Sequence, residues 1–139
     1  MLNIQKYTDY RKLLQGITTI AIVGLSPKEA RPSNMVARYL MEAGYRILPV
    51  NPGQSTILGL KCYPRLTEIA EQVDVVTIFR RSEEVYPIAE DAVRIGAKAI
   101  WMQQGIVHPE AALFAEKHGL EVIMDRCIKV EHMRIVATL

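Results

Sequence analysis

The sequence predicts a doubly wound α/β domain built on one five-stranded, mainly parallel sheet. Five short apolar runs, each closed by a glycine, a proline or a polar cluster, alternate with segments of helical period. Alternation of that kind makes the strands parallel. Most of the runs read as nearly continuous Val, Ile and Leu, the pattern of strands covered on both faces. At 139 residues and 50% hydrophobic, the chain suits one compact domain with a real core, residues 1–139, of which 1–17 form a leading helical segment.

The elements follow in order. Tyr7 to Leu14 is a leading helix that packs Tyr10, Leu13 and Leu14 on the body. Thr18 to Val23 is the first strand and ends at Gly24. Ser33 to Ala43 carries Val36, Leu40 and Met41 at helical spacing and stops at Gly44. Tyr45 to Val50 is the second strand, and Asn51-Pro52-Gly53 serves as the turn that leaves it. Leu66 to Ile69 has room for a helical turn or two. Val73 to Phe79 is the third strand. Ser82 starts a helix with Glu83 and Glu84 in its positive first turn, running through Val85, Ile88, Ala92 and Ile95 to Gly96. Pro87 inside that pattern predicts a bend or a late start. Ala97 to Met102 is the fourth strand. His108-Pro109-Glu110 opens a helix with Pro109 at its first position, and Lys117-His118-Gly119 closes it. Leu120 to Met124 is the fifth strand.

Composition narrows the function. A net charge of +2 with the 17 Lys and Arg scattered gives little support to nucleic-acid binding. No apolar stretch approaches the roughly 18 residues of a membrane span, and the polar start lacks a signal-peptide apolar region. A cytoplasmic location is expected. Cys62 and Cys127 have no metal-ligand spacing, and a disulfide is not expected in a reducing cytosol.

Ligands of doubly wound sheets settle beyond the carboxyl ends of the strands, above all where strand order reverses, so the first turn is the place to look. A dinucleotide fingerprint needs three glycines there. Only Gly24 matches; Ser26 and Glu29 stand at the other two places. The longer loop still offers backbone amides and the Ser26 hydroxyl to an anion, with Lys28 and Arg31 beside it and a helix amino end behind Ser33-Asn34. Gly24 as a plain strand-to-helix turn with solvated charges explains the same residues equally well. The end of strand two, Pro49-Val50-Asn51-Pro52, has no carboxylate for the ribose hydroxyls of NAD. With Lys28, Arg31, Arg80 and Arg81 near the same edge, a ligand bearing a ribose phosphate fits better, and the charge pattern does not choose between NADP and coenzyme A.

The stretches Gly24-Leu25-Ser26, Arg31-Pro32-Ser33, Gly44 to Pro52, Gly59 with Cys62-Tyr63, Asp74-Val75-Val76, Phe79-Arg80-Arg81, Trp101 to Gly105 and Met124-Asp125-Arg126-Cys127 together resemble the small stand-alone CoA-binding proteins of prokaryotes. Their Rossmann-like fold is shared with the CoA-binding domain of succinyl-CoA synthetase alpha chains and of acyl-CoA synthetases. The resemblance spans about Thr18 to His132. Gln104 departs from it, standing where an apolar residue is expected.

The resemblance implies coenzyme A or an acyl-CoA as ligand. Gly24, Ser26, Lys28 and Arg31, with Ser33 at the helix start, would hold the phosphates, and Asn51 and Pro52 would line the adenosine side. Phe79 would pack on the nucleotide and Arg80 would pair with phosphate. Strand four is expected beside strand one, so that Trp101 to Gly105 faces Gly24-Leu25-Ser26 and Gln103 hydrogen-bonds the pantetheine arm; Trp101 itself is expected in the core. His108 and His118 read as helix ends, and His132 lies with Glu131 and Arg134 near the C-terminus. The phosphorylated histidine of the related synthetases belongs to a further domain, so a complete synthetase is not expected in a chain ending at Leu139. Cys127 beside Arg126 is the one candidate for thiol exchange, against a favoured reading as a buried, inert cysteine. The Lys61-Cys62-Tyr63 segment, by contrast, reads as exposed. The function expected is therefore CoA binding without catalysis. Its alternatives are an NADP- or nucleotide-binding redox or sensor protein, and a subunit that lends its CoA site to a separate acyl-CoA enzyme. Protein partner and oligomeric state are left open.

Overall fold

The computed structural model describes residues 10–138. Its elements are α1 (Tyr10–Gln15), β1 (Thr19–Val23), α2 (Pro32–Glu42), β2 (Arg46–Val50), β3 (Thr56–Ile57), β4 (Leu60–Lys61), β5 (Val75–Ile78), α3 (Val85–Arg94), β6 (Ala99–Met102), α4 (Pro109–Lys117), β7 (Glu121–Ile123) and α5 (Ile128–Ala137), with 3-10 turns at Leu66–Glu68 and Ser82–Glu84. Five strands form one parallel sheet in the order β2-β1-β5-β6-β7, and β3-β4 is a separate antiparallel pair. Residues 7–9 of the expected leading helix lie outside the described residues; in the remainder, Tyr10 and Leu14 are buried and Leu13 packs beside them.

The third predicted strand, β5, lies beside β1, and the fourth does not. This corrects the expectation that strand four would be β1's neighbour. The reason lies in the segment after β2. Tyr63 runs back along the outer edge of β2, accepting from the Asn51 amide and donating to the Pro49 carbonyl at 2.9 Å each. Pro49 itself has no amide to donate, which suits a strand at the sheet's edge. With β2 closed on that side, the chain returns over one face and its next strand takes the remaining open edge of β1, in the register Ile20↔Val75 to Val23↔Ile78.

Alternation along the strands divides the core between the two faces. Ile20, Ile22, Val75, Ala99 and Trp101 face α1, α2 and α5, whereas Ala21, Val23, Val76, Ile78, Ile100 and Met102 face α3, α4 and the Leu66–Glu68 turn. Trp101 is wholly buried, its ring 5.3 Å from that of Tyr10 and its indole Nε1 donating to the Arg126 carbonyl at 2.8 Å. Helix ends follow local chemistry. The 3-10 turn at Ser82–Glu84 delays α3 to Val85, so Pro87 falls in the first turn, where no amide is needed. His108 caps α4 by accepting the Ala111 amide on Nδ1 at 3.0 Å, and His118 ends it.

At the amino edge of the sheet, the Asp74 carboxylate accepts the Thr18 and Thr19 amides at 2.8 and 3.1 Å and lies 3.3 Å from the Lys98 ammonium. Burial raises its pKa, but the two amides and Lys98 together outweigh that and hold it below the usual carboxylate range. One side chain thus ties the starts of β1, β5 and β6.

His132 joins α5 to α2. Its Nδ1 is 2.7 Å from the Tyr39 hydroxyl, and its ring stacks edge-on against Tyr39 and Tyr45 at 5.4 and 5.6 Å. Burial lowers its pKa, so Tyr39 donates to a neutral imidazole. The unfolded chain protonates His132 near pH 6.5, whereas the folded chain does so only at lower pH. Stability is therefore level above about pH 6.5 and falls as the pH drops from there toward the depressed folded value. The melting temperature should be lower at about pH 5.5 than at about pH 7.5, and His132→Gln should shrink that difference. An equal pH difference in the variant would remove His132 as its source.

Candidate functional site

The crossover after β1 lays α2 on one face, and the one after β5 lays α3 on the other, so a crevice opens between the two strand ends. Gly24 lies at its base with φ +87°, and a Cβ there would come within 2.5 Å of the Phe79 carbonyl oxygen and 2.9 Å of Arg80 Cδ. No side chain fits between the two exits.

The loop after Gly24 is braced by side chains expected to serve the ligand. Ser33 Oγ accepts the Ser26 amide at 2.9 Å, and Ser26 Oγ accepts the Lys28 amide at 3.1 Å. Asn34 Nδ2 donates to the Ser26 carbonyl at 2.9 Å. Asn51 Nδ2 donates to the Leu25 carbonyl at 3.0 Å, while its Oδ1 accepts the Gly53 amide at 2.9 Å. Ser33 is only 5% exposed. Ser33 and Asn51 therefore hold the loop in shape. Lys28 and Arg31 are exposed on the same loop. Neither they nor Ser26, Ser33 and Asn51 line the two cavities that flank it.

The larger cavity, about 680 Å³, is walled by Pro32 and Val36 of α2, by Phe79 to Glu83 after β5, by Gln103 to Ile106 after β6, and by Cys127 at the start of α5. The other, about 430 Å³, lies on the α3 side and includes Gly24, Pro52, Pro64, Leu66, Pro87 and Ile88. Arg80 borders both. Of the residues singled out in the sequence, the cavities bring together Gly24, Pro52, Phe79, Arg80, Gln103, Gly105 and Cys127. Sequence reasoning missed the apolar wall of Pro32, Val36 and Ile106; the position of Pro32 at the first turn of a helix beside the switch loop was the available signal.

Three details adjust the expected roles. Arg80 pairs with Glu84 at 2.7 Å, and that hydrogen bond is the main reason the Glu84 carboxyl sits below its ordinary pKa. Gln103 is buried and its Oε1 caps α5 by accepting the Ile128 amide at 3.1 Å, which leaves its amide nitrogen without a protein partner among the described residues. The β6 loop is fastened to the β5 and β7 exits, through Val107 N to Ser82 Oγ at 3.1 Å and Gly105 N to Asp125 Oδ1 at 2.6 Å. It meets the β1 side only across the cleft, at Pro32 and Val36. The expectation that it faces Gly24-Leu25-Ser26 from a strand adjoining β1 fails because β5 stands between.

The cysteines exchange places relative to expectation. Cys62 is buried and bonds to the Asn51 carbonyl at 3.5 Å, and burial raises its pKa. Cys127 is half-exposed and lines the cleft. No histidine lines the cleft, and among the described residues no group of three or more His, Cys, Asp or Glu is placed to hold a metal ion.

A family model described as a CoA binding domain matches residues 18–133. The chain belongs to this family. As a CoA-binding domain it is 43% identical over 124 residues to the YneT protein of Bacillus subtilis (strain 168), covering 89% of this chain and 92% of that protein. A solved structure, a hypothetical protein from Pyrococcus horikoshii OT3, superposes with a TM-score of 0.90 at 38% identity over 93% of this chain and 91% of that one. The CoA-binding domain is also 26% identical over 119 residues to acetate–CoA ligase [ADP-forming] I of Archaeoglobus fulgidus. That match takes in 78% of this chain but only 17% of the ligase. No helix among the described residues is long and apolar enough to cross a membrane.

The contact at Gly24 is directly testable. Gly24→Ala adds left-handed backbone strain to a clash with a backbone carbonyl, and should lower stability by about 2 kcal/mol or more. Urea unfolding at unchanged m-value would register it as a lower midpoint. A midpoint equal to that of the wild type would mean the β1 and β5 exits separate easily.

Proposed function

We propose that the protein binds coenzyme A or an acyl-CoA in the carboxyl-edge cleft and performs no chemistry on it alone. The observation that carries this reading is the pair of cavities meeting at Arg80. A ligand with a nucleotide head and a long arm has a place for each part. The head lies toward Pro52 and Gly24, the phosphates pair with Arg80, and the arm runs along Pro32, Val36 and Phe79 to Gln103, Gly105 and Cys127. Lys28, Arg31 and Ser26 contribute from the loop rim. The NAD reading is disfavoured because Asn51, bonded to the Leu25 carbonyl and the Gly53 amide, stands where NAD enzymes place a carboxylate. The end of β2 thus offers no carboxylate to ribose hydroxyls. A catalytic reading finds no histidine in the cleft beside Cys127, and the buried acid nearest it in sequence, Glu131, pairs with Arg134.

Calorimetry and thermal shift with CoA, dephospho-CoA, NADP and NAD test the ligand. CoA at about 100 times its dissociation constant should add roughly 2.7 kcal/mol of stability, and NAD should add none. Stabilisation by NAD with CoA inert would overturn the proposal, and NADP matching CoA would favour a nucleotide-dependent redox or sensor protein. In the same series Arg80→Ala should weaken CoA by roughly 1.5 kcal/mol, the low end for a charged hydrogen bond, because the Arg80 side chain is 43% exposed and shared with Glu84.

Cys127 is proposed as the point of thiol exchange. Its thiolate attacks one sulfur of CoA disulfide, a protein–CoA disulfide forms, and one CoA leaves as the thiolate. Mass spectrometry should show the gain of a single CoA, its loss on reduction, and no gain in Cys127→Ser. An adduct persisting in that variant would assign the exchange to Cys62 despite its burial.

A further inference from the structure

We infer that the cleft continues past Cys127 into a chamber that selects the acyl group, and that the group it favours ends in a carboxylate. This rests on the CoA reading of the cleft. A third cavity of about 410 Å³ adjoins the cleft, and Gln104 and Cys127 line both. With the phosphates at Arg80 and the arm running toward Cys127, the ligand sulfur comes to this shared wall. Whatever the sulfur carries then extends into the chamber.

The chamber is polar. Among its walls, Val130 and Cys127 are the side chains without strong hydrogen-bonding groups. Its two acids are already engaged. Asp125 accepts the Gly105 amide at 2.6 Å, and the buried Glu131 pairs with Arg134 at 3.0 Å. Arg126 differs from them. Its guanidinium donates only to the Asp125 backbone carbonyl, at 3.1 Å, and among the described residues no carboxylate pairs with it. Its backbone is fixed at both ends, the carbonyl by the Trp101 indole at 2.8 Å and the amide by the Met102 carbonyl at 3.3 Å. An alkyl chain entering here would desolvate polar walls without recompense. A terminal carboxylate would meet an uncommitted guanidinium on a rigid stem. Arg126 is exposed, so solvent screens the pairing and the preference should be moderate and salt-sensitive.

The test is calorimetry with CoA and two matched pairs, malonyl-CoA against propionyl-CoA and glutaryl-CoA against pentanoyl-CoA, on the wild type and on Arg126→Ala. In at least one pair the carboxylate-ended ligand should bind roughly 3- to 10-fold more tightly at low salt. That ratio should shrink at about 0.5 M salt and vanish in R126A. CoA itself should bind R126A as it binds the wild type, which also shows the variant folded. Ratios near one in both pairs, or a preference that survives R126A, overturn the chamber while leaving the cleft reading standing. Failure of CoA itself to bind the wild type overturns both.

Discussion

Between the ends of β1 and β5 the backbones come so close that a methyl group at Gly24 would sit 2.5 Å from the Phe79 carbonyl. The chain after β1 and the chain after β5 therefore share one small base before they part to opposite faces of the sheet. Their parting opens space on both sides of Arg80, with α2 walling one cavity and the Leu66–Glu68 turn and α3 the other. Were the exits held apart by a side chain, Arg80 would no longer stand between the two cavities. The register of β1 against β5, the placement of Phe79 and Arg80, and the shape of the cleft all depend on that contact.

Rigidity at the site comes from short polar side chains turned inward. Ser33, Asn34 and Asn51 together fasten Leu25 and Ser26 by three hydrogen bonds from two different elements, α2 and the end of β2. Each is worth about 1 kcal/mol in net terms. Their larger effect is to remove the entropy that an unbraced loop would lose on meeting a ligand. The cations are arranged differently. Lys28 and Arg31 extend freely from this fixed loop, while Arg80 is held by Glu84.

The amino edge of the sheet is tied together and the carboxyl edge is opened into cavities. Asp74 gathers the amino ends of β1, β5 and β6 with a single charged group held by two amides and Lys98. The carboxyl edge carries the glycine turn, the cavities and the accessible thiol. The similarity to 17% of a much longer acetate–CoA ligase shows that this same unit recurs as part of a larger enzyme. Most of that ligase lies outside the matched segment.

The sequence by itself determined much of what is encoded within a few residues, though not the β3-β4 pair or α5. The apolar runs marked all five strands of the parallel sheet because a strand covered on both faces must be apolar throughout. Pro87, Pro109, His108 and Gly24 marked helix starts and the first turn, because each acts through its own backbone or the next turn of chain. The CoA-binding family was legible because its motifs lie along most of the chain in order. Only the tertiary structure decided which strand adjoins β1, since that depends on Tyr63 closing the edge of β2. It also decided which polar groups bond within the protein. Ser33 finds its partner seven residues away and Asn51 finds its own 26 residues away, while Cys62 and Cys127 exchanged their expected exposures. Residue type states what a side chain can bond to. Which of two equally suitable partners it takes, a backbone amide or a ligand, is settled by packing between segments distant in sequence.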